Sequence, residues 1–261
     1  MKVGLNGKVV LITGASSGIG ARTAELLARR GAIPVLTARS VDKLEKLSAT
    51  IPGEHALYGM DVRSDEQVRE TAARVVDRYG KIDVLLNNAG YGEFVRFAPD
   101  VPISHFQDMM DVNYLGAVRC AQAALPYMLE AGNGHIVNVA SMAGKMATAK
   151  STAYCATKHA VLGFTNALRQ ELQGTGIAVS AVNPGPVDTP FFDRADPSGQ
   201  YVRNVGWFML PPDKVARAIV SVIETRRPEL DLPWTAAAGA KFMLLFPRIG
   251  QALFGKLLNR K

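Results

Sequence analysis

Tyr154 and Lys158 stand four residues apart in AYCATK, thirteen residues after Ser141. Positions i and i+4 of a helix share a face, so the Lys158 ammonium can sit beside the Tyr154 phenol and favour its phenolate. An unperturbed phenol titrates near 10. Using it for proton transfer near neutrality asks for roughly 3 units, or about 4 kcal/mol of differential stabilisation. One close cation in a water-poor cleft has the right magnitude. Y-x-x-x-K alone describes many solvated helix faces, so the rest of the chain must give this pair its meaning. Cys155, next to Tyr154, reads as a small buried helix residue.

A loop near the N-terminus could bring a reactant to that phenol. Thr13-Gly14-Ala15-Ser16-Ser17-Gly18-Ile19-Gly20 closes the apolar run VVLIT and opens a helical pattern. Its glycines let backbone approach a pyrophosphate, which a helix N-terminus attracts through free N–H groups and its dipole. Three residues separate the first two glycines, unlike the common G-x-G-x-x-G spacing.

The elements that must position these groups alternate along the chain. The apolar runs VVLIT, IPVLTA, HALYGMDV, DVLLNNAG, HIVNVAS and IAVSAVNPG are separated by helical patterns over residues 18–30, 41–50, 65–79, 104–131 and 152–173. Nearly continuous apolar strands alternating with helices predict an α/β fold: one doubly wound, Rossmann-type parallel sheet covered on both faces. A length of 261 residues, with no interdomain linker or internal repeat, predicts one domain over 1–261. Residues 186–212 break the alternation and carry six large side chains, Phe191, Phe192, Tyr201, Trp207, Phe208 and Leu210. A loop of that length predicts a lid or binding element.

Composition narrows the function classes. With 48% hydrophobic and 20% charged residues the chain is that of a soluble globular protein, and it has no apolar run long enough to span a membrane. The N-terminus enters a strand at once, without the pattern of a secretion signal. Cys120 and Cys155, the only cysteines, both fall in predicted helices, which suits reduced thiols in a cytoplasmic protein. The four histidines show no ligand spacing, so no metal is expected. The net charge of +7 carries no basic run interleaved with stacking aromatics, and no nucleic-acid partner is expected. Part of the surplus is local: residues 236–261 contain Lys241, Arg248, Lys256, Arg260 and Lys261 and no acid. There Phe242, Leu245, Phe246, Ile249, Leu253 and Leu257 recur at helical spacing, with Pro247 as a kink or restart. This tail reads as a peripheral membrane contact or lipid-facing pocket rim, or else as packing against another subunit.

Taken in order, these motifs resemble the short-chain dehydrogenase/reductase family over roughly residues 7–189. TGASSGIG matches the family's cofactor loop, and Asn87-Asn88-Ala89-Gly90 its motif after the fourth strand. Asn113, Ser141, Tyr154 and Lys158 fall where the family places a catalytic tetrad. Asn183-Pro184-Gly185, with Val187 and Thr189 following, matches the segment at the nicotinamide. The resemblance implies that Tyr154 is the acid or base at the substrate oxygen and that Ser141 holds that oxygen. It implies that Lys158 lowers the Tyr154 pKa and bonds the nicotinamide ribose, and that Asn113 supports a water linking Lys158 to solvent. It further implies contacts to the cofactor from Gly14, Ser16, Ser17, Gly18, Ile19, Gly20, Asn87, Ala89, Gly90, Pro184, Gly185, Val187 and Thr189, and from Asp61 and Val62 at the adenine.

Cofactor choice rests on the end of the second strand. Ala38 stands where an acid would bind a ribose 2′-hydroxyl, and Arg39 follows. A guanidinium pairs with phosphate, so NADP(H) is expected over NAD(H), with Ser16 assisting. The aromatic segment after Gly185 suits a lipophilic small-molecule substrate: steroid-like, retinoid-like or acyl. The resemblance also implies a homodimer or homotetramer through the two long helices. Two other readings use the same residues: a redox-inactive NADP-binding sensor or scaffold, against which the intact tetrad argues, and a sugar-nucleotide epimerase or dehydratase, for which the chain is short.

Overall fold

The computed structural model describes residues 2–246 and 248 of the chain. The run VVLIT forms strand β1 (Val9–Thr13), buried at every residue because both faces of the sheet are covered. Helix α1 (Gly18–Ala28), β2 (Ile33–Ala38), α2 (Val41–Ser48), β3 (Ala56–Gly59), α3 (Asp65–Tyr79) and β4 (Val84–Asn87) follow. The second half begins with α4 (Ile103–Met110), a π-helical turn (Asp111–Leu115) and α5 (Gly116–Glu130), then β5 (Gly134–Val139), α6 (Thr152–Glu171) and β6 (Ile177–Pro184). It ends with the short helices α7 (Phe191–Ala195) and α8 (Gln200–Val205), then α9 (Pro212–Thr225), β7 (Glu229–Leu232) and α10 (Trp234–Leu245).

The seven strands form one parallel sheet in the order β3-β2-β1-β4-β5-β6-β7. The order reverses between β1 and β4, which opens a crevice at their carboxyl ends where ligands of such sheets bind. Apolar side chains of α1, α2 and α9 cover one face, including Leu27, Leu44 and Ile219. Those of α3, α5 and α6 cover the other, including Val75, Met128 and Leu168.

Three expectations change. The single helix over 104–131 is interrupted by the π turn, which buries Asn113 at its centre. Residues 186–212 are not one loop: they contain α7, α8 and a 3-10 turn at Gly206–Phe208, and Val187 pairs with Leu210 in an isolated parallel bridge that closes the base of the segment. In the tail, α10 begins at Trp234, and Ile249, Leu253 and Leu257, with Pro247, lie outside the described residues.

Candidate active site

The crevice at the switch point is a cavity of about 780 Å³. The glycine loop forms one wall. Thr13 Oγ1 accepts hydrogen bonds from the Asn88 and Ala89 backbone N–H groups, each at 3.0 Å, and Asn88 Nδ2 donates to the carbonyls of Thr13 (3.0 Å) and Gly14 (3.1 Å). These bonds fasten the loop after β1 to the end of β4. Gly14 has φ +64, and a Cβ there would lie 2.8 Å from Ala89 Cα, so the loop closes only around glycine. Gly18 and Ile19, in the first turn of α1, line the cavity with Gly14, Ser16 and Ser17. The turn's N–H groups and glycine backbone make a cradle fit for a pyrophosphate.

One end of the cavity is polar and basic, lined by Arg39, Ser40, Lys43, Asp61, Val62 and Arg63. Asp61 is held below the usual carboxylate range, chiefly by hydrogen bonds from the Arg63 guanidinium at 2.7–3.2 Å, with Arg39 contributing at longer range. Lys43 and Arg63 were not singled out from the sequence. Lys43 carried a signal: a cation in the first turn of a helix opposes the helix dipole and suggests a local anion.

Ser141, Tyr154 and Lys158 converge near the middle. Ser141 lies two residues after β5 in extended backbone; its Oγ accepts from the Ala143 N–H at 3.0 Å and donates to the Pro184 carbonyl at 3.3 Å. Tyr154 and Lys158 lie on one face of α6, as their spacing predicts. The lysine Nζ is 5.8 Å from the centre of the Tyr154 ring and donates to the Val139 carbonyl at 2.9 Å. Lys158 is 5% exposed, and burial pushes its ammonium down to about 8. Burial likewise pushes the Tyr154 phenol above its ordinary value, a hydrogen bond with Ser141 opposing that rise. Removal from water dominates the Tyr154 shift, and the lysine's own hydrogen bond goes to Val139 rather than to the phenol.

Several predicted contacts sit behind the wall. Asn87 is buried and donates to Asn138 Oδ1 at 2.9 Å and to the Ala117 carbonyl at 3.2 Å; its neighbour Asn88 lines the cavity instead. Gly20 does not line it either. A Cβ there would lie 2.6 Å from both Asn88 Nδ2 and the Gly14 carbonyl, so Gly20 serves close packing of α1. Asn113 is buried at 2% exposure, its amide spanning the backbone of Tyr91 (2.9 Å from N to Oδ1, 2.8 Å from Nδ2 to O) and donating to Thr157 Oγ1 at 3.0 Å. It thereby ties the loop after β4 to α6. Ala89, Gly90, Pro184, Gly185, Val187 and Thr189 line the cavity as expected.

The far end is aromatic. The rings of Tyr154 and Phe191 lie 5.5 Å apart, Phe191 and Phe192 5.3 Å, Phe192 and Tyr201 5.5 Å, and Phe94 packs edge-on to Tyr201 at 5.0 Å. Burial pushes the Tyr201 phenol up to about 12, so it stays protonated at neutral pH. At the rim the Arg194 guanidinium lies 3.6 Å over the Tyr91 ring and pairs with Glu93 at 2.7 Å, which joins α7 to the loop after β4.

The family model described as short chain dehydrogenase matches residues 8–198. An uncharacterized oxidoreductase of Staphylococcus haemolyticus is 37% identical over 217 residues, covering 83% of this chain and 90% of that protein. One from Staphylococcus saprophyticus is 39% identical over 198 residues, covering 74% and 84%. Among solved structures, a short-chain dehydrogenase from Streptomyces avermitilis superposes with TM-score 0.82 at 30% identity, covering 97% of this chain and 98% of that one. A 3-ketoacyl-(acyl-carrier-protein) reductase from Brucella melitensis complexed with NADH superposes with TM-score 0.81 at 29% identity, covering 87% and 97%.

Proposed function

Because the chain belongs to the short-chain dehydrogenase family, we propose that it is an NADP(H)-dependent oxidoreductase that interconverts a carbonyl and an alcohol on a lipophilic substrate. The observation that carries this reading is a single cavity lined at once by the glycine cradle, by Ser141, Tyr154 and Lys158, and by an aromatic wall. The dinucleotide's pyrophosphate would lie against Gly14 and Ser16–Ile19. Val187 and Thr189, with Pro184 and Gly185, would face its nicotinamide end. When bound, the nicotinamide supplies or accepts the hydride.

The chain's own residues handle the proton and the alignment. Tyr154, protonated at neutral pH, donates to the substrate oxygen during reduction and takes the proton back during oxidation. Ser141 hydrogen-bonds the same oxygen and holds it beside the phenol. Lys158, itself buried, adds positive charge where little solvent screens it. Asn113 keeps the Tyr91 loop seated against α6, so that the phenol and the lysine keep their separation.

Arg39 and Lys43, with Ala38 in place of an acid, support NADP(H) over NAD(H): two cations and Ser16 can pair with a 2′-phosphate. The rings of Phe94, Phe191, Phe192 and Tyr201 favour a steroid-like, retinoid-like or acyl substrate by the apolar area they would remove from water. Reduction is the expected direction where NADPH is abundant. The exposed Ile103, Leu115 and Leu129 on α4–α5 support a homodimer or homotetramer. The two buried cysteines, Cys120 pushed up to about 12 by desolvation, suit a reducing cytoplasmic setting.

The test is loss of NADPH absorbance against a panel of lipophilic ketones and aldehydes, with NADH and the Tyr154→Phe variant in parallel. Turnover that prefers NADPH and vanishes in the variant supports the reading. Tight NADPH binding without turnover on any member of the panel moves weight to the sensor reading.

A further inference from the structure

The cavity's outer rim carries a group of apolar side chains that the fold leaves in water. Phe208 and, at the start of α10, Pro233 and Ala236 line the cavity. Trp207 packs edge-on against Phe208, ring centres 4.9 Å apart, and is 83% exposed; Trp234, next to Pro233, is 75% exposed. Helix α10 seats Ala237 and Ala240 against Met142. The next position on that face, Leu244, is 81% exposed, so the helix has by then left the body of the protein. Leu245, at 72%, and Phe246, at 50%, are exposed as well. Single exposed apolar residues are ordinary, but several in one helix end and the adjoining lid mark a surface that is covered by something else.

Charge identifies the occupant. After Asp231 the sequence has five basic residues and no acid, and of these Lys241 and Arg248 are exposed. The nearest acids along the chain, Glu229 and Asp231, are paired with Lys145 at 2.5 and 2.6 Å. Tryptophans beside lysine and arginine on an exposed apolar helix fit the boundary between acyl chains and anionic headgroups. A second copy fits less well. Protein interfaces are depleted of lysine at their cores, and a partner fixed over Phe208 and Ala236 would close the cavity.

We propose that the rim formed by Trp207, Phe208 and α10 docks on an anionic lipid surface and turns the open end of the cavity toward the bilayer. This surface is separate from the dinucleotide cradle, and its test does not depend on turnover.

Trp207 and Trp234 are the only tryptophans in the chain, so tryptophan emission excited selectively over tyrosine reports on the rim. Full-length protein is mixed with vesicles of phosphatidylcholine alone or of phosphatidylcholine with phosphatidylglycerol, then floated on a density gradient. The expected result is flotation and a blue-shifted emission with the anionic vesicles, both reversed by high salt, with little effect of the neutral ones. The double variant Lys241→Glu/Arg248→Glu should bind the anionic vesicles at least about tenfold more weakly. Trp234→Ser/Leu245→Ser should reduce flotation while keeping the far-UV spectrum and melting temperature. Protein that stays at the bottom with unshifted emission overturns the proposal. So does an oligomer, seen by light scattering, that Trp234→Ser/Leu245→Ser dissociates without any vesicle binding by the parent, which would assign the rim to a second copy.

Discussion

The Lys158 Nζ lies 5.8 Å from the centre of the Tyr154 ring and is hydrogen-bonded to the Val139 carbonyl, so its charge is buried with no carboxylate partner among the described residues. Burial lowers its pKa from 10.5 to about 8. A lowered lysine destabilises the fold at low pH: below about 8 the full cost of burying the charge is present. Stability then rises with pH through the window from about 8 to 10.5, where the unfolded chain still holds a proton that the folded chain has released. That cost is about 3 kcal/mol. Lys158→Met should therefore melt at a higher temperature than the parent at neutral pH, by less than the full amount because the Val139 bond is lost, while turnover disappears. The advantage should shrink as pH approaches 10.5. Thermal unfolding of both proteins across pH checks the sign, and a Met variant less stable than the parent at neutral pH would contradict it.

His135 makes the corresponding prediction in acid. Its Nε2 lies 2.7 Å from Ser180 Oγ between β5 and β6, and burial, then the nearby Arg226 charge, lowers its pKa from 6.5 to about 3. As pH falls below 6.5 the unfolded chain gains a proton that the folded chain refuses, so stability is lost down to about pH 3. His135→Gln carries no titrating group and should escape this loss. Urea unfolding at neutral pH and at about pH 4.5 should show the parent losing about 2–3 kcal/mol more than the variant.

The sheet was legible because its strands are buried on both faces and read as unbroken apolar runs. Strand β7 was not: Glu229 and Asp231 lie in it, at the sheet edge, where they pair with Lys145 and resemble a loop in sequence. The paired asparagines after β4 show the same limit at the site. Successive residues of an extended chain point to opposite sides, and nothing local tells that Asn88 lines the cavity while Asn87 turns to Asn138. Asn113 was found by its place in the motif order, but its π turn has no periodic signature. The lid helices are too short for one. The direction of the Tyr154 shift depends on burial and on a competing backbone acceptor, both of which are tertiary.

Cofactor preference should reside in the basic end of the cavity. Arg39 and Lys43 line it, whereas Arg63 is already engaged by Asp61. Charge-assisted hydrogen bonds to phosphate that are lost with Arg39→Ala/Lys43→Ala should raise the KM for NADPH about 10- to 100-fold. The KM for NADH should change little, since that cofactor has no 2′-phosphate to lose. Initial-rate measurements with both cofactors decide this. Equal losses for the two would place Arg39 and Lys43 outside cofactor discrimination.

Two glycines separate packing from propensity. A Cβ at Gly20 would lie 2.6 Å from Asn88 Nδ2 and from the Gly14 carbonyl, both parts of the bond set that fastens the glycine loop. Gly20→Ala should cost about 1–3 kcal/mol by overpacking. By shifting the loop it should also weaken NADPH binding, although Gly20 does not line the cavity. Gly163 sits exposed in α6, and a Cβ there would meet nothing within 4 Å. Gly163→Ala gains helix propensity and restricts the unfolded chain, and should stabilise by about 0.5–1 kcal/mol with NADPH affinity unchanged. Melting temperatures and NADPH fluorescence titrations of the two variants together test whether close packing at Gly20, rather than glycine content as such, holds the cradle in shape.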